Sequence, residues 1–132
     1  LTFVFIKNTS LLPGFNKVCS AKIESVLSVG SCFGTLGKAA LCGMLVYIAV
    51  FCYKHFKKIW AKVLGIFIAI ALFVYLGFDH CIANMYYFTL GHFEQGFRYG
   101  YSLLNIGLAT VGNSIGAILI HFVLRIKRKP AK

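Results

Sequence analysis

An acid, a histidine and an asparagine stand close together at the end of an apolar stretch of the sequence. Asp79, His80 and Asn84 follow the run 63–78, whose 16 residues carry no charge. Polar groups at membrane depth are costly and usually mark a solute pathway or a site. A neutral imidazole can donate an N–H to a passing anion or give it a proton, and its charge changes readily near neutral pH. We therefore predict that His80 carries anion chemistry, against the plainer alternative of a histidine hydrogen-bonded to a neighbouring helix.

The length of the apolar stretch predicts that the helix before His80 is broken. Sixteen helical residues at about 1.5 Å each span roughly 24 Å, which is less than the roughly 30 Å hydrocarbon core of a bilayer. The run contains Gly77 near its end, and the polar cluster follows it. We expect an interruption between about Phe78 and Asn84, so that no continuous helix runs through His80.

The composition indicates an all-α membrane protein. Hydrophobic residues make up 59% of the 132 residues and charged residues 13%, against roughly 45–50% and 25% in ordinary globular domains. The gaps between charges give three spans. They are about Phe33–Tyr53, Ile59–Gly91 with its break at Gly77, and about Tyr101–Leu124, with helices expected over 34–53, 59–77 and 103–124.

The positive charges predict the orientation in the membrane. The net charge is +11, and most basic residues lie at two places, 54–62 and 125–132. The loop 86–102 carries only Arg98, with Glu94 near it. Because basic loops stay on the cytoplasmic side, we expect the first loop and the C-terminus to be cytoplasmic, in a plasma membrane of the bacterial inner-membrane type. This placement of the charges argues against a nucleic-acid partner and indicates that the chain's surroundings are a lipid bilayer.

The remaining sequence offers little further chemistry. The five cysteines form no C-x-x-C pair, so we expect packing residues, with no metal site and no cofactor.

The segment 1–6 is too short to span a membrane and lacks the charged start of a signal peptide. Residues 7–24, with Pro13 and Gly14, look like a loop. We therefore predict that residues 1–32 are the tail of a preceding span and an outer loop, as in a C-terminal fragment.

Two motifs give the chain a family resemblance. Residues 77–80 with Asn84 and Met85 match G-F-[ED]-H-x-x-x-N-M, and 112–117 matches G-N-x-x-G-G except for Ala117. A third run, 41–46, is only partly similar to L-C-N-x-L-V. On these residues the chain resembles the formate/nitrite transporter family from about residue 30 to its end. The match corresponds to the second half of the family's six-span chain.

The resemblance implies a fold, a function and a set of site residues. Residues 33–132 would be the second inverted three-span repeat of an aquaporin-like channel, in a pentamer with one pore per protomer. The function implied is transport of small monovalent anions such as formate or nitrite, not enzymatic catalysis. The pore-lining residues implied are Phe73, Phe78, His80, Asn84 and Asn113, with Phe73 as an aromatic gate. Gly77, Asp79, Gly112 and Gly116 are implied to be structural at the helix break.

Physical arguments add structural roles for several of these residues. Asparagine can satisfy backbone groups that a helix break leaves free, so Asn84 and Asn113 are expected to do this. By the resemblance, Asp79 is expected to tie the loop at the break by accepting backbone N–H bonds. Gly112 and Gly116 form a small-x-x-x-small face, whose expected partner is the broken span.

Three departures from the family pattern bear on conduction. Gly43 stands where the fourth span has asparagine, and the lysine expected near Leu27 is absent, the nearest being Lys22. The N-x-x-P before the sixth-span motif is 105–108, without its proline.

Two alternatives to a transporter stay open. One is a truncated, non-transporting remnant or assembly partner, suggested by the missing first half. The other is a membrane redox subunit with haem between His80 and His121, which requires the two histidines at matching depth. The sequence places His121 near the basic, cytoplasmic end of its span and His80 near mid-membrane, so the two expected depths disagree.

Overall fold

The computed structural model describes residues 12–91 and 99–126, and all regular structure in this part of the chain is helical. The helices are α1 (Leu12–Glu24), α2 (Val29–His55), α3 (Ile59–Tyr75), α4 (Cys81–Gly91) and α5 (Tyr99–Ile126). Each predicted span therefore has its helix. The first begins earlier than predicted because the Ser28 side chain caps it by accepting the N–H of Ser31.

Two of these helices, α2 and α5, are long and apolar enough to cross a membrane, and α3 is a shorter apolar helix of 17 residues. Only 28% and 22% of the most apolar windows of α2 and α5 are buried inside the chain. Large side chains such as Phe67 and Val63 on α3 also point outward. Exposed apolar surface of this extent is unfavourable in water and is what a lipid-facing helix presents. The helices therefore support the membrane class.

The core of the fold is the close contact between α2 and α5. A Cβ added to Gly116 would overlap the carbonyl of Ala40, and one added to Gly112 would meet the Ala39 side chain. Gly43 lies equally close to the Asn113 backbone. The prediction that Gly112 and Gly116 pack on the broken span is wrong. Their partner is α2, because small residues on both helices let the two backbones touch.

The loop predicted for residues 7–24 is wrong where the structure describes it, since 12–24 form helix α1. Pro13 lies in the first turn, where a missing N–H costs no helical hydrogen bond. Phe15 packs its ring against Tyr86 and Tyr87 of α4, and Cys19 is buried. Burial against α4 thus stabilises a helix whose local sequence suggests a turn. Residues 7–11 lie outside the described part, and the boundary at residue 32 stays a prediction.

Candidate functional site

The broken helix is present, and His80 lies in the break. Helix α3 ends at Tyr75 and α4 begins at Cys81, so no continuous helix runs through His80, as predicted. Gly77 has φ of 63°, a left-handed conformation that glycine adopts without strain. The interruption is shorter than the predicted 78–84 and ends earlier. Residues 81–84 are already helical.

Asn113 explains why α4 starts at Cys81. Its Oδ1 accepts the backbone N–H of Cys81 at 3.1 Å, and its Nδ2 donates to the carbonyls of Asp79 and Ala39, each at 2.8 Å. Backbone groups freed in a membrane helix must be satisfied inside the protein. The structural role expected of Asn113 is therefore confirmed, since one side chain from α5 bonds the break and joins it to α2.

Asp79 turns away from His80 into the interior. The residue is 3% exposed, and its carboxylate accepts from Lys22 Nζ at 2.6 Å and from Asn84 Nδ2 at 3.0 Å. The expectation that Asp79 accepts backbone N–H bonds is corrected, because its observed partners are two side chains. One of them lies on α1, a helix that the sequence did not predict.

Asn84 extends this contact into a buried polar network, and the expectation that it satisfies backbone groups freed by the break is corrected, because its amide donates to two side-chain oxygens. It is fully buried and donates to Asn105 Oδ1 at 2.8 Å. Asn105 in turn donates to the Lys22 carbonyl at 3.1 Å and to Ser25 Oγ at 3.3 Å. Sequence reasoning missed the roles of Lys22, Ser25 and Asn105. Two of these residues had already appeared in the departures from the family pattern: Lys22 as the lysine nearest to the missing one, and Asn105 as the start of the run that lacks its proline.

His80 faces the other way, toward two open grooves along α2. Its ring stacks on Phe73, with centroids 5.5 Å apart and planes inclined by 22°. The α2–α3 groove, of about 330 Å³, is lined by residues of α2 and α3 together with His80. The α2–α5 groove, of about 300 Å³, is lined by residues of α2 and α5, by the start of α4 and again by His80. Val46 and Val50 line both grooves.

The predicted site residues are therefore placed in two groups. Phe73 lines the α2–α3 groove, Asn113 lines the α2–α5 groove, and His80 lines both. Phe78 and Asn84 line neither groove. The groove walls are almost wholly apolar, so His80 supplies a polar contact where the surroundings offer few. The pore-lining role of all five residues stays a prediction.

The glycine at position 43 also has a structural explanation. Gly43 lines the α2–α5 groove, but a side chain there would collide with the Asn113 backbone. An asparagine would therefore need α2 and α5 to move apart. Lys22, the lysine nearest to the position of the missing one, bonds Asp79 from α1.

Comparison with known proteins gives a consistent result. The formate/nitrite transporter family model matches residues 1–126. A probable formate transporter of Methanothermobacter thermautotrophicus is 29% identical over 115 residues, which is 86% of this chain and 41% of that protein. The uncharacterized transporter YrhG of Bacillus subtilis (strain 168) is 35% identical over 91 residues, 66% of this chain and 34% of that protein. The chain thus matches less than half the length of either relative. No solved structure matches it significantly.

Proposed function

Because the chain belongs to the formate/nitrite transporter family, we propose that it forms part of a membrane pore for small monovalent anions such as formate or nitrite. The observation that carries the proposal is the placement of His80. Its imidazole lines two apolar grooves at a helix break, while the neighbouring carboxylate turns inward to Lys22.

The chemistry follows from the cost of moving a charge through an apolar constriction. An anion that loses its hydration there needs a hydrogen-bond donor, or must travel as its neutral acid. The His80 imidazole can supply either an N–H or a proton. Phe73 stacks on that ring, narrows the apolar passage beside it and serves as the gate. We include Phe78, Asn84 and Asn113 in the proposal as residues of the pore region.

The open side of the grooves is the face on which the rest of the pore wall would pack. We propose that 33–132 is the second repeat of an aquaporin-like fold, and that the assembled protein is a pentamer. Helices α2 and α5 run parallel, since Ala39 meets Gly112 near the middle of both helices and Tyr47 meets His121 closer to their C-terminal ends. Both therefore end on the same side, which supports a cytoplasmic first loop and C-terminus in a plasma membrane.

The test is formate and nitrite flux into liposomes between mildly acidic and neutral pH, using the protein expressed from its complete reading frame. We expect His80→Phe to abolish flux with unchanged membrane insertion and oligomer size. His80→Asn keeps a donor but cannot titrate, so flux should persist and its pH dependence should be lost. His55→Asn is the matched control, because His55 is exposed and stacks on Phe51 away from both grooves. Unaltered flux in both His80 variants would contradict the proposal.

A further inference from the structure

A second polar pair lies along the α2–α5 groove, away from the helix break. The Tyr47 hydroxyl and His121 Nδ1 are 2.7 Å apart, and the two rings meet edge to face with centroids separated by 5.7 Å. Tyr47 comes from α2 and His121 from α5, so the pair joins the same two helices that enclose the groove.

The position of Tyr47 relates the pair to the proposed pathway. Tyr47 lines the α2–α5 groove together with His80 and Asn113. It lies one helical turn, about 6 Å, beyond Gly43 toward the basic end of α2. The other α2 residues that line this groove are Gly43, Val46 and Val50, which offer no polar side chain. Among the α2 residues of this groove, Tyr47 alone therefore offers a hydrogen-bond donor to an anion that leaves His80 along it.

We propose that the Tyr47 hydroxyl is a second binding position for the transported anion, and that His121 is its positioning residue. This inference rests on the proposed function. In this proposal His121 is in the tautomer that carries its hydrogen on Nδ1 and donates it to the Tyr47 oxygen, which leaves the phenolic O–H to point into the groove and donate to the anion. If the phenol instead donated to an unprotonated Nδ1, its lone pairs would face the groove and repel an anion.

The division of roles follows from what each residue touches. His121 does not line the groove, whereas Tyr47 does. The imidazole acts only through the phenol, by fixing its ring and the direction of its hydrogen. With one donor at His80 and a second at Tyr47, the anion can move from the first donor to the second without first regaining its hydration shell. A hydrogen bond to a charged group is stronger than one between neutral partners.

The test measures the half-saturating formate concentration and the maximal flux in liposomes, with the protein expressed from its complete reading frame. Tyr47→Phe keeps the ring and removes the donor, so we expect about a tenfold rise in the half-saturating concentration. His121→Phe should give a similar rise, and the double variant Tyr47→Phe/His121→Phe should be no worse than Tyr47→Phe alone. His121→Asn keeps an N–H near the Nδ1 position and should recover most of the affinity.

Tyr75→Phe is the matched control, because Tyr75 is exposed at the end of α3 and lines neither groove. Tyr47→Phe kinetics equal to those of the wild type, in a preparation whose wild-type protein transports formate, would overturn this inference and leave the proposed function standing. Additive effects of Tyr47→Phe and His121→Phe would overturn the positioning role of His121. Absence of formate flux from the wild-type protein would overturn the proposed function and this inference with it.

Discussion

Replacing Asn113 with alanine should destabilise the fold more than any other single polar truncation on α5 outside the buried network. The side chain makes three hydrogen bonds, to the Cys81 N–H and to the Asp79 and Ala39 carbonyls. At roughly 1 kcal/mol net for each bond, the loss is about 3 kcal/mol of unfolding free energy. The backbone groups left behind have no water to replace the amide in hydrocarbon, so the loss should not be smaller.

The assay is reversible unfolding of the protein in micelles, followed by far-UV circular dichroism. Ser114→Ala is the matched control, because the Ser114 hydroxyl bonds to the Thr110 carbonyl of its own helix and the residue is exposed. Asn113→Asp retains the acceptor for Cys81 but places a carboxylate against two carbonyl oxygens, so it should be at least as unstable as Asn113→Ala. An unfolding free energy for Asn113→Ala within about 0.5 kcal/mol of Ser114→Ala would refute the idea that this amide holds the break.

Three further predictions follow from helix packing, the ion pair and the charge pattern. Gly116→Ala should lower stability in the same unfolding assay, because the added Cβ meets the Ala40 carbonyl. Gly107→Ala is the control, since Gly107 has open space around it, and it should be neutral or raise stability by roughly 0.5–1 kcal/mol. Equal effects of the two changes would contradict the close contact between α2 and α5. Lys22→Met should lower the unfolding free energy by about 3–5 kcal/mol, because it leaves the charge of the buried Asp79 without its cation. Lys17→Met, at an exposed position, should leave the unfolding free energy nearly unchanged. A small loss of unfolding free energy for Lys22→Met would show that the ion pair is dispensable. Single cysteines introduced at Lys57 and Lys129 should be equally protected from an external thiol reagent, and unequal protection would refute the shared cytoplasmic side.

The parts of the fold that were predictable have a local signal in the sequence. The spans follow from the spacing of charges, and the break follows from a short apolar run that ends in Gly77 and a polar cluster. The backbone at His80 is non-helical for that local reason. The groove position of His80 was expected from the chemistry of imidazole in hydrocarbon and from the family motif.

The parts that were missed depend on contacts between distant residues. Lys22 lies 57 positions before Asp79, and Asn105 lies 21 positions after Asn84. No periodicity or spacing links such residues, because their proximity is created only when α1 packs beside α4 and α5. The same holds for Gly112 and Gly116, whose small-residue pattern predicts a close helix contact without naming the partner.

The break separates two neighbouring ionisable residues that would otherwise interfere with each other. A carboxylate exposed beside His80 would repel an anion and would favour a permanently charged imidazole. Asp79 instead points into the network of Lys22 and Asn84, where its charge is paired. A regular helix would place adjacent side chains only about 100° apart, whereas the non-helical residues 76–80 allow them to face opposite sides. The break thus does more than interrupt a span, because it buries the negative charge and leaves the imidazole in the groove.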